Sequence, residues 1–464
     1  SAASDVYKRQ VKTRQQVAAA GGEVTVDFYL INEKNVRGNH QLKISVTDSQ
    51  GKVMEVGTYE TEAAGGEVYG QLLVKDVKIP VPTAGGLCRI EAKLCKENSV
   101  VTTGYDDILS VNLASNMLDG KGAVWEDGSA LQNFLKGKTK EAVAAYEDNL
   151  GKLDWIMVAR PPRKDQLTIV PMEALRSADG KPGLDVVYYE DMEFQKEVYH
   201  EVAKVVNLSA IEGATPSPFV YMLDGYGIKW SGKVLPSVSG EYTIIPQSND
   251  RSMIEVFVNG KKIYEITRKK KHLGDGKVYL EGGKSADIEI RFRHPRSNAR
   301  CRLDWAVPND KMPDAQRLME RAVNDGTKIF IIQSADEWSE FIAVNSKAVF
   351  KDKFFVGTNW LGGVMFNKPH DIFKELPVGN ALNWPYQALI HTGVERMGLV
   401  MEGEELLVGA YHTYPMAIGT AMGIVPMGKG SVLFSTLDIY GNIINDSAAG
   451  LVAKKLIFNM IDFK

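Results

Sequence analysis

The chain is poor in cysteine, in histidine and in unbalanced charge. Its 464 residues carry three cysteines, an odd count with no CxxC pair, which indicates neither a disulfide framework nor a structural zinc site. Cys88 and Cys95 share the strand-like run LCRIEAKLC, but their odd spacing puts them on opposite faces of a strand. So low a cysteine content suits either redox compartment. The seven histidines are scattered, with no HExxH or paired spacing. His370, His391 and His412 are the ones a C-terminal domain could bring together, although isolated surface positions account for them as well. With 55 basic and 58 acidic residues the net charge is -3, which lacks the cationic excess of a nucleic-acid binder. The longest basic run, RKKK at 268–271, lies between two strand-like segments and reads as a solvated hairpin loop. No stretch approaches the ~18 consecutive apolar residues that a membrane-spanning helix needs.

What is present is patterned hydrophobicity, 44% of the chain, over a length that suits about three domains of roughly 150 residues. Residues 1–10, SAASDVYKRQ, read as translated adapter DNA and are set aside. The natural polypeptide is accordingly expected to extend upstream. Over residues 11–115 the runs EVTVDFYLI, HQLKISVTD, EVYGQLLVKDVKI, LCRIEAKL and DILSVNL carry apolar residues at every second position. The breaks between them are rich in Gly pairs, including AGGEV twice, which predicts an antiparallel sandwich.

From residue 116 the period changes. A helix is expected within 129–146 and a buried strand at LDWIMVA, 153–159. After residue 305 helical spacing returns: Ala315, Leu318, Met319, Ala322 and Val323 share one face, with Pro313 near the start and Gly326 at the stop. TKIFII is the next strand, and Ser334 with Glu337 has capping-box spacing for another helix. RMGLVME with EELLVGA, and AIGTAMGIVPM with GSVLFSTLD, read as strand pairs of a mixed sheet. A last helix starts at Asp446 or Ser447 and carries Ala449, Val452, Leu456, Met460 and Phe463 on one face. The aromatic runs TNWLGGVMF and NWPYQ read as buried packing, with a groove lining as the alternative.

Between these halves, residues 183–305 form a self-contained block. It opens with GLDVVYY, continues through GIKWSGKVLPSVSGEYTIIPQSNDRSMIEVFVNGKKIYE, and closes with KVYLEGGKSADIEIRFRH and RLDW. This order of motifs resembles the fourteen-kilodalton protective-antigen domain, a sandwich spliced into bacterial glycosidases, adhesins and toxins. The resemblance implies carbohydrate handling. Trp230, Ser231 and Gly232, followed by residues 239–243, match the family's step into its SGEYTF strand. The loop after that strand bears paired aspartates that hold calcium in lectin-like members, since a hard cation takes several oxygen ligands. Here Asn249 and Asp250 stand there, so a calcium site is weakened, with Asp250 the one candidate ligand. The residues implied to contact sugar are Asp224, Tyr226, Trp230, Asn249, Asp250 and Arg251. Packing explains Trp230 equally well, and turn formation explains Asp250.

The flanking segments DFYLINEKNVRGNHQLKISV, LDWAVP and GTAMGIVPMGKGSVLFSTLDIYGNIINDSAAGLVAKKLIFNMI resemble the C-terminal region of bacterial glycoside hydrolase family two proteins, the β-galactosidase group. That resemblance implies a catalytic barrel upstream, glycan partners and a periplasmic or extracellular location. The α/β part is similar to the glutamine-amidotransferase-like, flavodoxin-like fold, whose chemistry needs Cys or Ser on a sharp strand-to-helix turn beside His. None of Cys88, Cys95 and Cys301 occupies such a turn in the sequence pattern. Two motifs are decoys. Asn32-Glu33 sits at a strand end rather than at a barrel mouth, and Gly423 to Lys429 imitates a phosphate loop but leads into a strand instead of a helix.

The expected architecture is an immunoglobulin-like β-sandwich over 11–115 and a discontinuous α/β domain over 116–179 and 306–464. A protective-antigen-type sandwich at 180–305 interrupts the latter. The expected role is noncatalytic glycan binding and scaffolding within a glycoside hydrolase acting on β-galactoside-type glycans, with no catalytic residue in this chain and no cofactor beyond the possible calcium. Alternatives are a surface adhesin or structural glycan-binding protein, and an amidotransferase-like α/β enzyme.

Overall fold

Period-two burial builds the first part of the molecule. The computed structural model describes residues 11–463 apart from 67, 98, 114–116, 163–166, 211–215, 218–221, 223, 249–251, 270, 297–298, 309–312, 357–362, 392–396, 414–415 and 444–447. The chain is mostly β and divides into two units. One comprises Ser1–Asn116, Pro369–Tyr386 and Asp446–Lys464, the other Met117–Lys368 and Gln387–Asn445.

In the first unit Val11–Thr13, Glu23–Ile31 and Gly70–Pro80 form one antiparallel sheet. Val17–Ala19, Ser99–Val111, Gly86–Lys96, Arg37–Thr47 and Val53–Ala64 form a second, in that spatial order. Alternation explains the pairing: Leu42, Ile44 and Val46 of one strand face a common core with Val26, Phe28, Leu30, Ile90 and Ile108. Asn32 is a turn former, accepting from Val36 N at 2.7 Å and donating to Val36 O at 2.9 Å.

The last helix departs from expectation. The sequence pattern predicts a place in the α/β part for Ala448–Asp462, yet the helix belongs to this first unit and packs against Val17–Ala19 and Ser99–Val111. Burial continues almost all round it, through Val452, Ala453, Leu456, Ile457, Phe458, Met460 and Ile461, so a one-faced reading could not say which neighbour it serves. Buried Lys455 is satisfied by Glu375 at 2.6 Å and Asn112 O at 3.1 Å, and Asn459 donates to Ile372 O and Lys374 O. Its expected caps, Asp446 and Ser447, lie outside the described residues, as does most of TNWLGGVMF.

The second unit contains a mixed sheet ordered Ala144–Ala145, Gly122–Glu126, Trp155–Ala159, Lys328–Ile331, Gly430–Ser435, Ala417–Met427, Met397–Glu402 and Val349–Phe355. The first five are mutually parallel and the rest antiparallel. WIMVA is buried at all five positions, the signature of a central parallel strand covered on both faces. The helix Ala315–Asp325 begins at Asp314, whose carboxylate accepts from Gln316 N and Arg317 N at 2.8 and 3.0 Å, and stops at left-handed Gly326.

Several expectations need correction here. Helix 129–146 shrinks to Ala130–Leu135, because the chain turns at Gly137 with φ 73° and then supplies the edge strand Ala144–Ala145. Glu405–His412 pairs with Ala417–Met427 and Gly363–Asn367 rather than with Met397–Glu402. The phosphate-loop imitation is a tight hairpin, Met427 pairing Gly430. Gly428 is required there, with φ 58° and only 2.3 Å from a would-be Cβ to Val323 O. Ser334 has no side-chain capping hydrogen bond, since its backbone is left-handed at φ 53°, ψ 38° instead of extended.

Residues 168–306 form the inserted sandwich. One sheet is ordered Glu197–Ala203, Leu184–Tyr189, Tyr226–Val234, Ala286–His294, Met253–Val258, Lys261–Ile266 and His272–Leu273. The other is ordered Thr168–Ile169, Ala299–Ala306, Gly240–Ser248 and Lys277–Leu280, with Asn207–Ala210 also on Ala299–Ala306. The sandwich therefore starts earlier than residue 180, recruiting Thr168–Ile169 and Leu175–Arg176 as strands. Thr168 pairs Trp305; entry and exit are adjacent, the condition for inserting a module without disturbing its host.

Candidate functional site

Strand register gathers the loops of interest at one pole of the sandwich. Tyr226 pairs His294, Met253 pairs Arg293, Ser248 pairs Cys301 and Ala210 pairs Ala299. Ser248 and Ala299 are strand ends of one sheet, Met253 and His294 of the other, so both sheets end at this pole. Tyr189 pairs Gly227, which brings the hairpin turn 190–196 to the same edge.

Asp224 lies exposed at this pole, just before Gly225, whose N–H donates to Pro295 O at 3.1 Å. Asn249, Asp250 and Arg251 lie outside the described residues. Tyr226 and Trp230 are elsewhere: they are 1% and 3% exposed and face the core. Tyr226 packs against His294 with ring centroids 5.5 Å apart, and Trp230 meets Phe292 edge-on at 6.2 Å. Burial, and then the Asp224 charge, pushes the Tyr226 hydroxyl above its ordinary value. A ring face enclosed by protein cannot stack on a sugar, so these two are corrected to core residues. Period two carries the reason: Tyr226, Ile228 and Trp230 share a face, and Ile228 is wholly buried.

Among the described residues, Phe194 is an aromatic that does reach the pole's surface, partly exposed at the hairpin tip. It meets Tyr189 edge-on at 5.3 Å and lies 4.6 Å from the Arg293 guanidinium and 5.5 Å from Lys229 Nζ. Its φ of 59° is unusual for a bulky side chain. Gly227 makes room, for a Cβ there would stand 2.7 Å from the Phe194 ring. Arg293 in turn donates to Met192 O at 3.1 Å and to Glu255 at 2.8 Å, and Lys262 reaches Glu255 at 3.1 Å. Desolvation works against the Asp191 charge, but the N–H groups of Gln195, Lys196 and Glu193 hold its carboxyl below the usual carboxylate range. Beneath them buried Ser252 and His294 lie within hydrogen-bond distance, 3.1 Å. MEFQK gave no signal of this role, because nothing in sequence ties residue 194 to Gly227 and Arg293.

No group of three His, Cys, Asp or Glu side chains among the described residues is arranged to hold a metal ion. Burial pushes the Cys301 thiol far up, and Cys88 is raised for the same reason. Neither is a reactive nucleophile.

Comparison with known proteins agrees with the sandwich assignment. Residues 180–317 match the PA14 domain model; the chain contains a PA14 domain. Over 125 residues it is 26% identical to the anti-sigma-I factor RsgI3 of Acetivibrio thermocellus, covering 27% of this chain and 19% of that protein. The chain thus spans about a fifth of that curated relative. Similar solved structures include a β-glucosidase from Kluyveromyces marxianus, with TM-score 0.32 and 12% identity over 49% of this chain and 30% of that one. An anti-sigma factor domain-containing protein from Clostridium clariflavum gives 0.26 and 11% over 66% and 92%. An epithelial adhesin 9 A domain from Candida glabrata, in complex with Galb1-4GlcNAc, gives 0.23 and 12% over 32% and 90%.

Proposed function

We propose that the inserted PA14 domain binds glycans at the pole that carries Asp224 and Phe194, and that the rest of the chain is its scaffold. The observation that carries this is the register that brings strand ends 226, 248, 253 and 294 to one edge, together with the PA14 match over 180–317. In this reading Phe194 offers an apolar face to the C–H side of a sugar ring. Asp224, Asn249, Asp250 and Arg251 supply hydrogen bonds to hydroxyls. Those residue types suit a neutral, hydroxyl-rich ligand whose groups both donate and accept. Calcium is not needed for this reading.

The finer proposal is that the chain serves a glycoside hydrolase acting on β-galactoside-type glycans outside the cytoplasm, with an immunoglobulin-like sandwich and an amidotransferase-like α/β host that no longer catalyses. It rests on the resemblance of the flanking segments. Hydrolysis needs two carboxylates about 5–10 Å apart across the scissile bond; of the described carboxylates at the pole, Asp191 and Glu255 are engaged by backbone N–H groups, Arg293 and Lys262.

A glycan array with the purified chain, run with and without EDTA, tests the binding. Signal on galactosides that drops at least tenfold in Asp224→Ala and in Phe194→Ala is the expected result. Flat signal across all glycans would reject the reading, and loss of signal with EDTA would assign the site a metal. Release of nitrophenol from an aryl β-galactoside by this chain would reject the noncatalytic part.

A further inference from the structure

Outside the pole, the second unit has a cleft at the carboxyl ends of its parallel strands Lys328–Ile331 and Gly430–Ser435, walled on one side by Asn207 and Arg302 of the sandwich. Carboxyl ends of parallel strands are where open α/β sheets take their ligands, because loops and helix N-termini converge there. The cleft holds about 700 Å³ of empty space, solvent at its mouth included. We propose that it binds a neutral, monosaccharide-sized polyol through the side-chain amides of Asn207 and Gln333.

Two oxygens of the cleft lack a partner. Asn207 Oδ1 and Gln333 Oε1 both line this cleft, and both are sealed acceptors with no hydrogen bond. They come from different parts of the unit, one from the sandwich and one from the α/β sheet, and both invite a donor. Between them Ser334 is held at φ 53° by the strand-to-helix turn, its hydroxyl making no capping bond. Strained positions of this kind cluster at ligand sites.

The charged groups of the lining fix the charge of the ligand. Each charged side chain of the lining already has a counterpart: Arg302 is bidentate to Asp304 at 2.8 and 2.7 Å, Asp336 takes Lys353 at 2.6 Å, and Asp438 accepts from Gly441 N at 3.0 Å. What remains is neutral and accepting, which suits hydroxyl groups better than an ammonium or a phosphate. The apolar wall of Ile169, Met365, Met397 and Leu437 faces the same space and suits the C–H face of a ring. The lining carboxylates Asp336 and Asp438 are engaged by Lys353 and by Gly441 N, and binding without turnover is the inferred activity.

This site is independent of the glycan reading of the pole, and the test separates them. Thermal unfolding of the full chain with D-galactose, D-glucose, myo-inositol and choline is expected to show a rise in Tm of about 2–4 °C at saturation for at least one polyol and none for choline. Asn207→Leu and Gln333→Leu, close in shape but without the stranded oxygen, should keep the ligand-free Tm or raise it while losing the shift. Hydrogen exchange should show polyol protection at 332–338 and 435–441. No shift with any polyol, an undiminished shift in the Leu variants, a shift with choline alone, or protection confined to 190–196 and 224–228 would each overturn the proposal.

Discussion

The pole of the inserted sandwich and the carboxyl edge of the α/β sheet both gather polar side chains at strand ends, but they treat them in opposite ways. Among the described residues at the pole, charged groups are met by protein: Arg293 by Glu255 and Met192 O, Asp191 by three N–H groups, Lys262 by Glu255 and Glu265. At the sheet edge the charges are paired while two neutral amide oxygens are left stranded. A satisfied network fixes a surface in place, and the proposed recognition at the pole uses the exposed Asp224 and the partly exposed Phe194. A stranded acceptor costs about 1–3 kcal/mol unless something donates to it, and such a cost points to a ligand.

The comparison is sharpened most strongly by separating core from pole on a single strand. Trp230→Ala should destabilise the sandwich by about 3–5 kcal/mol, the range for an enclosed large aromatic, measured by urea unfolding. A stable Trp230→Ala protein that had selectively lost glycan binding would return Trp230 to the surface role it has been denied here. Gly227→Ala comes next. Its Cβ would press the Phe194 ring at 2.7 Å and Asp191 O at 2.9 Å, costing about 1–3 kcal/mol as overpacking does. The hairpin 190–196 must shift, so glycan affinity should fall together with stability, and Phe194→Ala in the same background should recover part of the stability.

How much of this was readable in advance follows from the range of the forces involved. Alternation along GIKWSGKV and ADIEIRFRH is local, and it gave the strands and the sandwich correctly. The same alternation places Tyr226 and Trp230 inside, but a motif shared with sugar-binding domains drew attention to their chemistry instead. The cap at Asp314 and the stop at Gly326 were legible because both act within one turn. Long-range choices were not. The partner of Glu405–His412, the home of the C-terminal helix and the contact of Phe194 with Gly227 depend on segments up to hundreds of residues apart. Ser334 is the sharpest case. Ser-x-x-Glu spacing predicts a capping box, yet the turn out of Lys328–Ile331 forces a left-handed backbone that no local preference favours.

Acid titration probes the satisfied side of the comparison. Desolvation raises the Glu255 carboxyl, but hydrogen bonds and charges from Arg293 and Lys262 outweigh it and hold the pKa below its ordinary value. A depressed folded pKa means that the unfolded chain binds the proton more readily. The pair's stability is therefore fully present above the unfolded value of about 4.3 and is lost as pH falls through the folded one. Glu255→Gln should reduce stability near neutral pH by about 1–2 kcal/mol, since a charge-assisted bond becomes a neutral one and Arg293 is only partly exposed. It should also flatten the stability curve below pH 5. An unchanged acid limb would show that the network at the pole contributes nothing to rigidity.

The smallest expected effect falls on the unsatisfied side. Ser334 holds a left-handed backbone, which costs a residue with a Cβ about 1–2 kcal/mol, and glycine would remove that cost while adding roughly 0.5–1 kcal/mol of unfolded-state entropy. Ser334→Gly should thus raise stability by no more than about 1 kcal/mol, read as a small rise in Tm. The direction matters more than the size. A hydroxyl serving the fold would be missed and Tm would fall; a hydroxyl serving a ligand would leave the free protein slightly more stable and lower only the polyol-induced shift. Glu126, at the carboxyl end of the parallel strand two places along the sheet, sets the contrast: it accepts from Leu131 N, Gln132 N and Tyr440, so its removal should lower Tm with or without ligand. If Ser334→Gly behaved like the loss of Glu126, the edge of the sheet would be scaffold throughout, and the distinction between the two regions would collapse.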